Sequence, residues 1–115
     1  MIYKEPKRVT KHEMLFLLRS EKIPAICEAM VGLAYHEKDW EWCQNLFIKL
    51  IKDLSQNDEI LRTAIICIGH IARIHRAINK AAVFEAFSVL REKGKFEGYI
   101  EDAISDIDLF VSDES

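Results

Sequence analysis

The carboxylates between residues 97 and 108 have types and spacing that point to binding of a cationic group. They are Glu97, Glu101, Asp102, Asp106 and Asp108. On a helix, Glu101 and Asp108 share one ridge, and Asp102 and Asp106 lie on the next. Like charges four positions apart destabilise an isolated helix by about 0.2–0.5 kcal/mol. Asp102 and Asp106 therefore need a cationic partner.

Two sources of that cation are compatible with the sequence. Arg62, Arg73 and Arg76 lie on or just after another predicted helix and are the internal candidates. The other source is a basic surface on a separate molecule. Both readings stay open at this point.

Two aromatic side chains join the candidate binding residues. Trp40 and Trp42 are two positions apart, so on a helix they point about 200° apart and do not both face the core. Trp40 falls on the apolar stripe with Cys43 and Phe47. Trp42 lies off that stripe, where it either anchors a partner or packs against the N-terminal helix. Tyr99 precedes the carboxylate pair and is a second candidate contact.

No pattern in the chain indicates catalysis or metal binding. The four histidines, His12, His36, His70 and His75, form no HExxH motif, and the last two lie on different faces of one helix. The chain also has no G-x-S-x-G elbow and no glycine-rich phosphate loop. We predict a non-enzyme with no cofactor, no metal site and no small-molecule ligand.

The length and charge distribution point to one protein-binding domain. A chain of 115 residues buries enough surface to fold without metals or disulfides. Residues 96–115 carry seven acidic side chains and no lysine or arginine, whereas the preceding 95 residues carry 16 basic and 12 acidic ones. This acidic end argues against direct nucleic-acid binding and is suited to a basic partner, although a merely solubilising tail has the same composition.

Other features predict a cytoplasmic protein. Cys27, Cys43 and Cys67 are an odd number, widely spaced in apolar helical patterns, which is typical of reduced cysteines. The first ten residues lack the apolar stretch of a secretory signal. No apolar run approaches the roughly 18 residues of a membrane span.

Helical periodicity and capping signals predict six helices in one all-α domain. Thr10 with Glu13 forms a capping box, and Asp39, Asn57 and Asn79 are further N-caps. We assign residues 10–19 to an N-terminal helix, 23–54 to a first helical pair, 58–94 to a second pair, and 98–111 to a terminal helix.

Two glycines inside helices indicate that the pairs repeat. Gly69 interrupts a long apolar helix at a cost of up to about 1 kcal/mol relative to alanine, so a neighbouring helix must pack closely there. Gly32 lies 37 residues earlier in an equivalent place. This period predicts a short α-solenoid. Arg62, Ile66 and Arg73 share the stripe of Gly69 that a neighbouring helix would cover.

Several segments resemble known bacterial proteins. Leu61-Arg62-Thr63-Ala64 and Ile68-Gly69-His70-Ile71-Ala72 resemble the first helix of a HEAT repeat. Gly69-His70-Ile71-Ala72-Arg73-Ile74-His75, together with Glu101-Asp102-Ala103 and Asp106-Ile107, is similar to small HEAT-like immunity proteins of contact-dependent growth inhibition and polymorphic toxin systems. The resemblance covers residues 58–111 by specific residues and 24–54 by pattern.

The resemblance implies a cytoplasmic antidote that binds one cognate toxin, a basic nuclease domain. Its acidic helix would cover the active site of the toxin and compete with substrate phosphates for lysine and arginine side chains. The implied contacts are the carboxylates named above together with Tyr99 and Trp42. Opposite electrostatic fields would also accelerate association.

Two other function classes are compatible with a HEAT-like fold. A scaffold or regulatory module would bind a peptide in its concave groove and would need a larger exposed apolar patch. A nucleic-acid enzyme, by analogy with HEAT-like glycosylases and bilin lyases, would use a basic groove. Arg62, Arg73, Arg76 and Trp42 could line one, but the acidic end argues against it.

Overall fold

A computed structural model describes residues 5–112, which form six α-helices and one short 3-10 helix. The elements are α1 Lys11–Leu17, α2 Ile23–His36, α3 Trp40–Lys52, α4 Asp58–His75, α5 Lys80–Leu90, the 3-10 helix Arg91–Lys93, and α6 Glu97–Phe110. Within this range there is no strand, which confirms the predicted all-α class. No helix in residues 5–112 is both long and apolar enough to cross a bilayer.

Side-chain caps begin four helices where the sequence predicts them. Thr10 and Glu13 form the reciprocal capping box of α1, and Asp39, Asn57 and Asn79 accept from backbone amides at the starts of α3, α4 and α5. The terminal helix begins at Glu97, one residue earlier than predicted, without a side-chain cap.

The helices α2, α4 and α6 lie side by side in one row and run parallel to each other. Contacts between neighbours advance along both helices together, which is the signature of parallel packing. The pairs are Cys27 with Glu59 and Tyr35 with His70 between α2 and α4, and Arg62 with Tyr99 and Arg73 with Asp106 between α4 and α6.

A second row consists of α3 and α5, which are also parallel. The buried Gln44 accepts a hydrogen bond from the backbone amide of Asn79, and Lys52 donates to Glu85 over 2.7 Å. These contacts join positions 35 and 33 residues apart, close to the predicted period of 37. The fold is therefore repeat-like, while its division into two HEAT units stays a prediction.

The centre of the molecule is α4. Half of its 18 residues are buried, and it packs closely against α2, α3 and α6. The long apolar run of this helix is thus buried against neighbours on several sides.

The two helical glycines meet different neighbours. A Cβ added at Gly69 would lie 3.8 Å from the Cα of Ala103 on α6 and 2.9 Å from a carboxylate oxygen of Asp106. The predicted close helix packing is present there. A Cβ at Gly32 would overlap the carbonyl oxygen of Lys7, so an extended N-terminal segment covers that glycine in place of a helix.

Candidate partner-binding surface

Arginines from α4 and its C-terminal cap lie along α6, but among the described residues only Arg73 meets a carboxylate of that helix. The Cζ atom of Arg62 lies 5.6 Å from the centroid of the Tyr99 ring. The Nε atom of Arg73 lies 3.6 Å from Oδ2 of Asp106. The Cζ atom of Arg76 lies 5.6 Å from the centroid of the Phe110 ring. Arg62 and Arg76 therefore cover aromatic rings of α6, and Arg62 also pairs with Glu59 of its own helix over 3.9 Å.

Asp102 and Asp106 consequently have different surroundings. Asp106 is half-buried beside Arg73, so its cation comes from the chain itself. Asp102 is exposed and makes no hydrogen bond or ion pair with any residue in 5–112. The internal reading holds for Asp106 and fails for Asp102, because the arginine side chains nearest to Asp102 are engaged elsewhere.

Arg73 is fixed by contacts on two sides. Its Nη2 lies against Nδ1 of His70, and its Nε lies beside Asp106. The His70 ring makes an edge contact with Tyr35, with 4.9 Å between the ring centroids. Burial and the nearby Arg73 charge lower the pKa of His70 to about 4, so at neutral pH the imidazole is uncharged and can accept from the guanidinium. Contacts among Tyr35, His70, Arg73 and Asp106 thus link all three helices of the first row.

The outer face of α6 carries unpaired negative charge. Glu101, Asp102 and Asp108 are exposed and have no partner among residues 5–112. Leu109 lies on the same side with 75% of its surface exposed. We call these four residues the α6 face.

The other predicted contact residues are partly engaged within the molecule. Glu97 accepts from Arg91 over 3.0 Å. Tyr99 is 39% exposed although Arg62 lies over its ring. Trp42 is half-buried on α3 with the ammonium group of Lys11 5.4 Å from its ring. Trp42 therefore packs beside α1, whereas the α6 face belongs to the helix on the far side of α4.

A groove of about 170 Å³ separates α4 from α6. Gly69 and Ala103 line it without long side chains, which leaves the space open. The groove is also lined by Ile66, Tyr99 and Asp102.

The described residues offer no other reactive centre. No group of histidine, cysteine and acidic side chains in 5–112 is arranged to hold a metal ion. Burial raises the pKa of the Cys43 thiol to about 12 and raises that of Cys67 as well, so both stay protonated thiols.

Comparisons with known proteins give one informative match. No family model and no curated protein matches the chain. Among solved structures, it is similar to a chain in the crystal structure of a CDI complex from Cupriavidus taiwanensis LMG 19424. The two are 32% identical with a TM-score of 0.79, and the match covers 96% of this chain and 97% of that one.

CDI stands for contact-dependent growth inhibition, the system that the sequence resemblance indicates. The chain belongs to the family of CDI immunity proteins. The predicted family is thereby confirmed, and the match spans almost the whole chain, including the N-terminal helix that the sequence motifs did not cover.

Sequence reasoning missed two features of this CDI family member. Leu109 was not among the candidate contacts, although its position two residues after Ile107 places it off the apolar stripe of α6. The contact between His70 and Arg73 was also missed. Their spacing of three residues on a helix was the available signal.

Proposed function

We propose that this chain is an immunity protein that binds and neutralises one cognate CDI toxin domain through the α6 face. The observation that carries the proposal is that Glu101, Asp102 and Asp108 are exposed and meet no cation among residues 5–112. Exposed carboxylates on one helix, beside an apolar side chain, favour a basic partner of complementary shape. The family membership and the neighbour found in a CDI complex support the same reading.

The chemistry of the surface favours a nuclease as the toxin. A nuclease binds phosphates with lysine and arginine side chains, and carboxylates on a rigid helix can occupy those side chains instead. The antidote would act by covering the active site, in the cytoplasm, with no catalysis of its own. Leu109 would be the apolar anchor of the contact.

The carboxylates have unequal roles in this proposal. Glu97 and Asp106 already have cations from the chain that largely neutralise their charge, so a contact of either with the toxin stays a prediction. The three unpaired carboxylates would make the direct contacts. A contact with Trp42 stays a prediction and would require a toxin that also reaches the α1 side of the molecule.

Co-expression with the toxin tests this function. The partner is the C-terminal domain encoded by the adjacent upstream reading frame, which we expect to be small and basic. We expect that domain to arrest growth of a bacterial host and the intact chain to restore growth. A chain with Glu101→Gln, Asp102→Asn and Asp108→Asn should fold, by circular dichroism, but fail to protect.

A matched variant controls for the change in net charge. Glu21, Glu28 and Glu92 are exposed, lie outside α6 and have no partner among the described residues. Replacing these three by glutamine removes the same charge and should leave protection intact. Equal protection by both triple variants would contradict the assignment of the α6 face, and no protection by the intact chain would contradict the function.

A further inference from the structure

The groove between α4 and α6 has the dimensions of a single side chain. Its volume of about 170 Å³ corresponds to roughly five or six water molecules at about 30 Å³ each. That space admits one long side chain but no helix or strand of a partner. The groove exists because Gly69 faces Ala103 across the contact of the two helices.

The charge balance inside the groove leaves one group unsatisfied. Asp106 and Arg73 line the groove and form an ion pair with each other, and Arg73 also contacts His70. Asp102 lines the same groove and has no partner in residues 5–112. The local excess is therefore one negative charge, held at the edge of a partly apolar cleft.

The walls are suited to a long aliphatic stem. Ile66 is 40% exposed and Tyr99 is 39% exposed, and both border the groove. Arg62 lies over the Tyr99 ring and positions it. Lysine and arginine side chains combine an apolar stem with a charged end, and such side chains commonly bury the stem while the charge meets a carboxylate.

We propose that this groove receives one lysine or arginine side chain of the toxin, with its stem between Ile66 and Tyr99 and its charge on Asp102. The proposal rests on the proposed function. It assigns the specificity of the complex to the groove between α4 and α6. Glu101 and Asp108 do not line the groove, so each would meet the toxin as an exposed charge outside any pocket. Asp102 is consequently the carboxylate that recognises an individual toxin residue.

Affinity measurements with the purified toxin domain test the proposal. Asp102→Asn removes the proposed ion pair and Tyr99→Leu alters the wall, while Asp108→Asn is the matched control on the same helix. We expect Asp102→Asn to raise Kd by about tenfold or more. Asp108→Asn should raise it by less than about threefold, as expected for an exposed charge.

A double-mutant cycle identifies the toxin residue. Each lysine and arginine of the toxin domain is replaced by alanine and titrated with both the intact chain and Asp102→Asn. One toxin variant should bind the intact chain at least about tenfold more weakly but bind Asp102→Asn no more weakly than the unchanged toxin does. The groove proposal would be overturned if no lysine or arginine of the toxin were coupled to Asp102, or if Asp102→Asn and Asp108→Asn weakened binding equally. If the intact chain does not bind the toxin at all, the proposed function itself fails.

Discussion

At the scale of single residues, the difference between Asp102 and Asp106 shows how far a sequence pattern reaches. Their spacing on one helix predicted a shared need for cations. In the structure Arg73 pairs with Asp106, whereas no residue in the described range 5–112 pairs with Asp102. The spacing within α6 was readable from the sequence, but the choice between the two depends on the register of α4 against α6, which no local signal encodes.

The two helical glycines lead to a first prediction. Gly69→Ala gains about 1 kcal/mol of helix propensity, and the flexible Asp106 carboxylate can move away from the new methyl group at a cost of ~0–1 kcal/mol. Gly32→Ala gains the same propensity but must displace the Lys7 backbone and weaken the contact of 2.7 Å between His36 and the Pro6 carbonyl.

Urea unfolding measures this difference between the glycines. We expect Gly69→Ala to lie within about 1 kcal/mol of the unaltered chain. Gly32→Ala should be less stable than Gly69→Ala by about 1–2 kcal/mol. Equal stability of the two variants would show that the N-terminal segment is not held at Gly32.

The lowered pKa of His70 gives a second prediction. The unfolded chain takes up this proton near pH 6.5, but the folded chain does so only near pH 4. Between these values the unfolded state binds more protons, so folding stability decreases as the pH falls through that window. Thermal unfolding midpoints should therefore be lower at pH 5 than at pH 7.

His70→Asn isolates the contribution of this imidazole. Asparagine keeps a hydrogen-bond acceptor near Arg73 but does not titrate. The variant should lose less stability than the unaltered chain between pH 7 and pH 5, with His12, His36 and His75 unchanged in both. An identical loss in the two proteins would contradict the assignment.

At the scale of elements, the helices were predictable but their contacts were not. Capping residues and apolar periodicity gave all six helices because these signals are local. Their arrangement in two rows follows from which small residues let backbones approach, and only Gly69 among them was a clear signal. No sequence signal predicts that the N-terminal segment covers Gly32, because residues 5–10 form no helix or strand and carry no periodic pattern.

The junction of α3 with α5 carries a third prediction. Gln44 is buried, and its side-chain oxygen accepts from the backbone amide of Asn79, which caps α5. Gln44→Met keeps the volume but leaves that amide without its acceptor, so we expect a loss of about 1–3 kcal/mol in urea unfolding. Asn45→Ala removes the acceptor of the 3.2 Å hydrogen bond from the Gln44 side-chain amide but keeps the bond to Asn79, so it should cost less. A loss as large for Asn45→Ala would locate the stabilisation elsewhere.

At the scale of the whole molecule, the unpaired negative charge of the acidic end lies on one side of the fold. The sequence predicted an acidic end, and the structure places its unpaired carboxylates on the outer side of the last helix in the first row. Composition alone could not separate this arrangement from a solubilising tail, because both have the same net charge. The exposed Leu109 beside those carboxylates is visible only in the structure.

Association kinetics with the toxin domain carry a fourth prediction. An oriented negative face accelerates encounter with a basic partner, and salt screens that attraction. Raising the salt concentration from about 0.05 to about 0.5 M should slow association by about tenfold or more in stopped-flow measurements. The triple variant of Glu101, Asp102 and Asp108 should show a weaker salt dependence than the matched triple variant outside α6. A salt dependence that is the same for both would indicate that only net charge matters.

Hydroxyl-radical footprinting of the toxin complex tests the central claim most directly, because the chain has exposed oxidisable side chains on separate faces. Tyr99 and Leu109 report on α6, Phe16 reports on α1, and Phe84 reports on α5. We expect toxin binding to protect Tyr99 and Leu109 from oxidation and to leave Phe16 and Phe84 unchanged. Protection of Phe16 or Phe84 with no change at Tyr99 and Leu109 would contradict the account.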